Sequence, residues 1–144
     1  MKKHNMTEKD IHYYYHGSKN RNYFGIMTEG LLLNPKAPIT GKMFGHGIYF
    51  APRAKKSINY TDINGAYWNN GTMAQAYLLV YKVAYKKPKY ISVWSSEMTN
   101  YRNHVIAPYD AVFAEKGISL VNDEVIVYDE SQCTLQYIIE LTSK

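Results

Sequence analysis

Residues 15–60 read YHGSKNRNYFGIMTEGLLLNPKAPITGKMFGHGIYFAPRAKKSINY, the most informative stretch of the chain. It contains His16, Gly17, Tyr49 and Tyr60 among glycines, which let a backbone turn or be approached closely. An aromatic, strand-like run precedes His16, so the histidine stands where a strand reaches a turn. The stretch predicts a pocket built from strand ends and a short helix.

β-Strands are predicted for much of the chain, together with two short helices. Apolar runs bounded by turn residues predict strands over residues 11–16, 74–85, 89–94, 124–128 and 135–141. Short helices are predicted over residues 23–29, with Asn22 as the cap and Gly30 as the stop, and over residues 53–60, with Pro52 in the first turn. Many strands with a few short helices predict an α+β fold.

The remaining segments have weaker patterns. Residues 95–120 have no clear period and are predicted to be irregular, and the polar residues 1–10 are predicted to form a loose tail. No internal repeat or linker divides the 144 residues. The whole chain, residues 1–144, is therefore predicted to be a single domain.

Tyrosine is the unusual residue in the composition, with 15 copies against 4 Phe and 2 Trp. A tyrosine combines apolar area with a polar tip, so it suits half-buried strands and pocket walls. Cys133 is the single cysteine, which excludes an internal disulfide, and its setting predicts a buried, unreactive thiol. The N-terminus lacks the apolar run of a signal peptide, and no run is long enough for a membrane span, so a cytoplasmic location is expected.

The positive charge is concentrated in the first part of the chain. Residues 1–60 carry 10 Lys and Arg against 3 Asp and Glu, whereas residues 61–144 carry 7 against 9. A basic half favours an anionic ligand, such as a dinucleotide pyrophosphate or a nucleic acid. The alternative, a solvated basic face, is equally compatible with this distribution.

Several residues are candidates for a pocket that holds a flat cationic ring joined to a sugar. Tyr49 and Tyr60 offer two electron-rich walls, and such a wall stabilises a cationic ring by roughly 0.5–2 kcal/mol. Ser57 lies one helical turn before Tyr60, so its hydroxyl can point into the same space. His16 offers ring nitrogens to sugar hydroxyls, and Gly17 offers its backbone to an amide. Taken singly, each is more often a core or turn residue, so the prediction depends on the set.

Glu124 opens the apolar run EVIVY. On a strand, Glu124, Ile126 and Tyr128 share one face, and Val125 and Val127 share the other. A carboxylate at this position is either a solvated strand end or a site residue that stabilises an oxocarbenium-like centre as a glycosidic bond breaks. No metal site is predicted, because the five His and one Cys are scattered without zinc-ligand spacing.

Four motifs follow one another along the chain: HGS at residues 16–18, TGKMFGHGIYFA at 40–51, KSINY at 56–60 and EVIVYDESQCTLQYIIEL at 124–141. In this order they resemble the catalytic domain of the poly(ADP-ribose) polymerase family, the diphtheria-toxin-type ADP-ribosyltransferases. The resemblance covers about residues 13–60 and 121–141. It implies split antiparallel β-sheets around a cleft for NAD+, which serves as the co-substrate, with no metal.

The resemblance also implies roles for individual residues. His16, Tyr49 and Glu124 correspond to the family's His-Tyr-Glu triad. His16 would contact the adenosine ribose, and Tyr49 would bound the nicotinamide and its ribose. Glu124 would hydrogen-bond that ribose and stabilise the transition state. The backbone of Gly17 and the hydroxyl of Ser57 would hold the nicotinamide carboxamide.

Further NAD+ contacts are implied for Ser18, Asn22, Phe50, Lys56 and Tyr60. Tyr60 would stack on the nicotinamide, Lys56 stands where some members carry a lysine near the acceptor, and Asn22 matches a position near the adenosine end. Leu32 departs from the family, because a phosphate-contacting Arg is common there, and a lower affinity for adenosine is therefore expected. The 15 residues before His16 leave no room for a helical or DNA-binding module, so a minimal catalytic domain is expected.

The resulting hypothesis is an enzyme that cleaves nicotinamide from NAD+ and transfers ADP-ribose to a protein or a nucleic acid. Transfer of single units is expected more than long polymers, because the acceptor side is short. Two alternatives remain: an NAD+ glycohydrolase that uses water, as a toxin would, and an idle module that binds NAD+ or ADP-ribose. The complete triad argues against the idle module.

Overall fold

Two β-sheets and two short α-helices form the core of the computed structural model, which describes residues 6–22, 25–26, 30, 43–66 and 71–142. The strands are β1 (Ile11–Gly17), β2 (Ile48–Phe50), β3 (Gln75–Ala84), β4 (Pro88–Ile91), β5 (Ala111–Ala114), β6 (Glu124–Val127) and β7 (Cys133–Thr142). The α-helices are α1 (Ala54–Ile58) and α2 (Asn103–Ile106). Four 3-10 turns lie at Glu8–Asp10, Asn20–Asn22, Ser96–Asn100 and Glu130–Gln132.

The strands form one sheet of three and one of four. The first sheet has the order β1-β3-β7 and is antiparallel throughout. The second has the order β2-β6-β5-β4, and its pairs are antiparallel except for β4 and β5, which run parallel. The predicted α+β fold with split sheets is thus confirmed, with this one parallel pair as a departure from the antiparallel expectation.

Backbone hydrogen bonds join the two sheets at one point. The N–H of Tyr15 donates to the carbonyl of Ala51 at 2.9 Å, and the N–H of Ala51 donates back to Tyr15 at 3.0 Å. Tyr15 lies within β1, and Ala51 directly follows β2. This reciprocal pair fixes the end of β1 beside the end of β2.

Apolar residues on alternate sides of β6 fill two separate core clusters. Val125 and Val127 pack in a cluster with residues of the three-stranded sheet, whereas Ile126 and Tyr128 pack in a second cluster on the other side. The predicted division of this strand into two faces is therefore confirmed. Because both faces are buried, β6 is held firmly, and so is Glu124 at its start.

The predicted strands are confirmed, with ends that differ by a few residues. The helix predicted over residues 53–60 is shorter, because α1 begins at Ala54 and ends at Ile58. Arg53 takes the extended N-cap conformation, so Pro52 precedes the helix and does not lie in its first turn.

The expectation that residues 95–120 are irregular was wrong. Residues 95–120 contain the turn at Ser96–Asn100, helix α2 and strand β5. These elements have three to five residues each, which is too short for a period to be read from the sequence.

The expected loose tail at residues 1–10 is ordered over its described part, which starts at residue 6. Glu8–Asp10 forms a 3-10 turn that is closed by reciprocal contacts between Thr7 and Asp10. The carbonyl of Asp10 accepts a hydrogen bond from the N–H of Tyr85 at 3.0 Å, which ties the turn to the end of β3.

The helix predicted over residues 23–29 lies mostly outside the described residues, as does Leu32. Residues 25 and 26 are helical, and the N–H of Gly30 donates to the carbonyl of Ile26 at 2.8 Å. Gly30 has φ +79°, a left-handed conformation that suits the predicted stop. Asn22 itself lies in the 3-10 turn at Asn20–Asn22.

Cys133 is partly buried at the start of β7, where its thiol contacts the carbonyl of Glu130. Burial raises the pKa of this thiol to about 12, so it is protonated at neutral pH. Within the described ranges, no helix has the length and apolar content of a transmembrane segment. The same residues contain no group of three or more His, Cys, Asp or Glu that could hold a metal ion.

Gln132 provides a second link between the sheets. Its side chain is buried, and Nε2 donates to the carbonyl of Ala84 at 3.0 Å and to the carbonyl of Asp110 at 2.8 Å. Ala84 ends β3 in one sheet, and Asp110 directly precedes β5 in the other. Oε1 of Gln132 accepts from the N–H of Asp129 at 3.1 Å, so one side chain satisfies three buried or partly buried backbone groups.

We expect Gln132→Ala to lower the free energy of unfolding by about 2–4 kcal/mol, because it leaves these backbone groups without their partner. Urea denaturation of the two proteins measures the difference. The matched control is Gln136→Ala, since Gln136 is exposed on β7 and its change should stay within about 0.5 kcal/mol. Equal losses in the two variants would contradict the role of Gln132 as a link.

Candidate active site

Four elements meet where the two sheets are joined. β1 ends at Gly17, β2 pairs with β6 so that Tyr49 lies opposite Ile126, and α1 follows β2 closely along the chain. Glu124 begins β6. The predicted site residues, although more than 100 positions apart at their extremes, thus come from neighbouring strand ends and one helix.

Lys56 and Glu124 form an ion pair in this region. The Lys56 Nζ to Glu124 Oε2 distance is 3.1 Å, and the two side chains are 13% and 12% exposed. Burial raises the pKa of the Glu124 carboxyl above its ordinary value, while the charge and hydrogen bond of Lys56 act in the opposite direction. The carboxylate is therefore held in a poorly solvated place with one cation beside it.

His16 contacts β2 through its ring. Its Nδ1 lies 3.1 Å from the carbonyl oxygen of Tyr49. A carbonyl can only accept, so Nδ1 carries the proton, and in the neutral ring Nε2 is then an acceptor. Burial lowers the pKa of His16, with the hydrogen bond to Tyr49 opposing the change, so the ring is neutral at neutral pH. The edges of Phe50 and Tyr81 hold the ring at centroid distances of 6.1 and 6.3 Å.

Gly17 packs directly on helix α1. A Cβ atom at this position would lie 1.8 Å from the carbonyl oxygen of Ser57 and 3.2 Å from the side chain of Thr61. No side chain fits in that space, so the residue must be glycine for α1 to approach β1 this closely. The contact brings the backbones of Gly17 and Ser57 together.

Tyr49 is fixed by its hydroxyl group. The hydroxyl donates to the carbonyl of Gly45 at 2.9 Å and accepts from the N–H of Phe44 at 2.9 Å. Burial raises the pKa of Tyr49, and the negative charge of Glu124 contributes in the same direction. Since the hydroxyl is already engaged with the backbone, the ring face is the part of Tyr49 that can meet a ligand.

Tyr60 lies just after α1, and its N–H donates to the carbonyl of Ser57 at 3.1 Å. Its side chain is 38% exposed, whereas Ser57 is buried. Burial of part of the ring raises the pKa of Tyr60, and so does the charge of Glu124. Tyr60 is therefore an accessible ring within electrostatic range of the carboxylate.

The remaining candidates lie nearby in two places. Asn22 donates from Nδ2 to the hydroxyl of Ser18 at 2.8 Å, so these residues form a local pair after the end of β1. Phe50 is 2% exposed and belongs to the core, where it supports the ring of His16. Phe50 is therefore a core residue that packs against His16.

Aromatic residues that were not predicted to belong to the site contact the turn before β2. Trp94 donates from Nε1 to the carbonyl of Met43 at 2.7 Å, and the hydroxyl of Tyr128 donates to the carbonyl of Phe44 at 2.5 Å. A Cβ on Gly45 would lie 2.2 Å from the carbonyl of Tyr101. The high tyrosine content was the available signal, but it could not indicate which rings would meet this turn.

The arrangement combines a poorly solvated carboxylate, a neutral histidine acceptor and two tyrosine rings, of which that of Tyr60 is exposed. A carboxylate in such a place stabilises a positive centre more strongly than it does in water, because the surrounding dielectric is low. The rings favour a flat cationic group. The site is thus chemically suited to a sugar that develops positive charge next to an aromatic leaving group.

Comparison with known proteins indicates the same family as the four motifs do. The family model of the poly(ADP-ribose) polymerase catalytic domain matches residues 1–143. A putative poly(ADP-ribose) polymerase-like protein, 100L, of Invertebrate iridescent virus 6 is 29% identical over 133 residues, which cover 88% of this chain and 68% of the viral protein.

Cellular relatives are much longer. Poly(ADP-ribose) polymerase 1 of Oryza sativa subsp. japonica is 30% identical over 147 residues, and the match covers 88% of this chain and 15% of the rice protein. Poly(ADP-ribose) polymerase 2 of Homo sapiens is 55% identical over 47 residues, which cover 32% of this chain and 8% of the human protein. Since the family model matches nearly the whole sequence, the chain belongs to the poly(ADP-ribose) polymerase catalytic-domain family of NAD+-dependent ADP-ribosyltransferases.

Proposed function

We propose that this chain, as a single catalytic domain, cleaves nicotinamide from NAD+ and transfers one ADP-ribose unit to a macromolecular acceptor. The observation that carries the proposal is the largely buried Glu124 carboxylate, which is paired at 3.1 Å with Lys56, the neighbour of the residue Ser57 that contacts Gly17. A ligand that occupied this place would meet a negative charge, a backbone amide and a hydroxyl within one cleft.

Glu124 acts on the nicotinamide ribose. The bond between the ribose C1′ and the nicotinamide nitrogen breaks, and its electron pair stays on that nitrogen and neutralises the pyridinium charge. Positive charge develops at C1′, and the Glu124 carboxylate stabilises it. The acceptor's nucleophilic atom then forms the new bond to C1′ and loses its proton.

The other residues bind and orient NAD+. Gly17 and Ser57 hold the carboxamide, and Tyr60 stacks on the nicotinamide, whose opposite side is bounded by the ring of Tyr49. His16 accepts a hydrogen bond at Nε2 from a hydroxyl of the adenosine ribose, which its Nδ1–H tautomer permits. Holding the ring and the ribose in a fixed relative position favours the transition state over the ground state.

Besides pairing with Glu124, Lys56 lies next to the place where the acceptor attacks the ribose. It lies directly beside Glu124, on the side of α1 that approaches the carboxylate. The acceptor group must reach C1′ near this pair. A protein side chain and a nucleic-acid end would each serve as an acceptor. The net positive charge of residues 1–60 is compatible with a nucleic acid.

A second candidate function is NAD+ glycohydrolysis, in which water replaces the macromolecular acceptor. The exposure of Tyr60, at 38%, favours it, because the side of the site nearest the nicotinamide is open to solvent. The two functions share the cleavage step and differ in what attacks C1′.

We expect Glu124→Gln to reduce nicotinamide release from NAD+ by about 100-fold or more, because the neutral amide cannot stabilise a cationic centre. Release is measured on the purified proteins by chromatography. The matched control is Glu115→Gln, since Glu115 is exposed after β5 and its variant should keep the wild-type rate. Equal rates for wild type and Glu124→Gln would sink the proposed role of this carboxylate.

The pH dependence of cleavage should depend on Lys56. Glu124 must be ionised to act, and its pKa is raised by burial, so activity should fall on acidification while other carboxylates are still charged. Lys56 lowers this pKa, and Lys56→Gln should therefore move the acid limb of the kcat/KM profile to higher pH. Lys55→Gln is the control, because Lys55 is exposed on the same helix. An unshifted limb in Lys56→Gln would contradict the coupling.

The fate of ADP-ribose separates the candidate functions. With labelled NAD+ and a mixture of proteins and nucleic acids, single-unit transfer predicts label on a macromolecule without a ladder of polymer. Loss of label after nuclease, or after protease, identifies the acceptor class. Free ADP-ribose with no labelled macromolecule would show that the chain is a glycohydrolase and not a transferase.

A further inference from the structure

Among the described residues, β7 is an edge strand of the three-stranded sheet. The sheet order is β1-β3-β7, and in the described part of the chain the pairing of β7 is with β3. Its other side therefore presents a row of backbone N–H and C=O groups. Such a row is a template for pairing with another strand.

β1 and β4 carry features that discourage such pairing, whereas β7 carries only a bulge at Gln136 and one charged residue, Glu140. β4 begins with Pro88 and Lys89, and the end of β1 is joined to Ala51. Proline and lysine on an edge, or a covering segment, are the usual protection against edge-to-edge association. Between Cys133 and Thr142 the sequence CTLQYIIELT contains no Pro, Lys or Arg.

The middle of β7 is also unusually apolar for an exposed strand. Tyr137, Ile138 and Ile139 are 62%, 45% and 41% exposed. These consecutive residues lie on both faces of the strand, since neighbouring side chains alternate. A strand that added to this edge would cover apolar side chains on both faces at once.

A bulge limits the part of β7 that is available. Val80 pairs with Tyr137 and Tyr81 pairs with Leu135, so Gln136 is the extra residue on β7. A bulge twists an edge locally and interrupts regular pairing there. From Tyr137 to Thr142 the register with β3 is uninterrupted, and this segment is the regular edge.

The segment is complementary to itself when its direction is reversed. Tyr137, Ile139 and Leu141 lie on one face, opposite the alternate β3 residues Val80, Leu78 and Ala76. Read in either direction from Ile139, this face is apolar at each position. We propose that β7 pairs antiparallel with β7 of a second copy of this chain, about a two-fold axis at Ile139.

In this dimer, Tyr137 lies opposite Leu141 of the second copy, and the two Ile139 side chains meet on the axis. The charge on the strand agrees with the antiparallel direction. Glu140 is the one charged residue in β7, and the two-fold axis places each Glu140 opposite Ile138 of the second copy. A parallel, in-register pair would instead place the two carboxylates side by side, which is destabilising.

The dimer would contain a continuous six-stranded sheet with the order β1-β3-β7-β7-β3-β1. His16 and Gly17 lie on β1, two strands from the axis in each copy. Both candidate sites therefore remain open, so loss of the dimer should leave the rate of NAD+ cleavage unchanged. Self-association and the proposed function can thus fail independently of each other.

Sedimentation velocity over a concentration series tests the proposal. We expect the mass of the wild type to rise with concentration from 16.7 kDa to twice that value. Ile139→Lys places two ammonium groups on the axis and should weaken dimerisation by at least about tenfold. The matched control is Ile118→Lys, because Ile118 lies outside the strands and is 87% exposed, and this variant should dimerise like the wild type.

Cross-linking provides a second measurement if Ile139→Lys fails to fold, which its thermal unfolding curve would reveal. In a Cys133→Ser background, Ile139→Cys should form a disulfide-linked dimer on oxidation, since the two residues meet on the axis. Ile118→Cys in the same background should not. A failure of Ile139→Cys to cross-link more than Ile118→Cys would exclude the proposed register.

Other results overturn the proposal. A wild-type mass of 16.7 kDa at every concentration would mean that the edge does not pair with a second copy and is free for a strand of a different protein. Association that persists in Ile139→Lys would place the interface elsewhere. A mass above that of two chains would exclude a closed two-fold pair.

Discussion

The reciprocal hydrogen bonds between Tyr15 and Ala51 set the relative position of the two sheets. They join the end of β1 to the end of β2, and thereby one sheet to the other. The next residues along β1 are His16 and Gly17, and the residues that follow Ala51 lead into α1. One pair of backbone contacts therefore sets the distance between the strand that carries the histidine and the helix that carries Ser57.

Electrostatics then distinguish this cleft from the rest of the surface. Glu124 is kept from water by the strands around it, and Lys56 partly compensates its charge. The balance matters because full burial would neutralise the carboxyl, whereas full exposure would weaken its effect on a cationic centre. The neutral ring of His16 follows the same logic, since burial lowers its pKa and leaves a hydrogen-bond acceptor in place of a second cation. As the pH falls, the unfolded chain takes up a proton on this histidine more readily than the folded protein does. The folded protein therefore loses stability at pH values below the pKa that the histidine has in the unfolded chain.

The sequence was sufficient for five of the seven strands and for motifs whose residues touch one another. The strand pattern of β3 and β6 is strong because both faces of each strand are largely buried, and the contacts of Gly17 with Ser57 and of Lys56 with Glu124 join the motifs that were singled out. Short elements such as α2 and β5 could not be predicted, because four residues are too few for a period. The parallel pairing of β4 with β5 depends on tertiary packing, which no local pattern reports.

The position of Tyr49 was foreseen, but the group it presents was not. Its hydroxyl is bonded to Phe44 and Gly45, and Tyr128 in turn holds Phe44, so the tyrosine is clamped at its polar end. Tyr128 lies directly after β6, the strand that begins with Glu124. The Tyr49 ring and the Glu124 carboxylate are therefore positioned by the same strand, from its two ends. A displacement of β6 would move both, and the burial of this strand on its two faces therefore keeps the two groups in place.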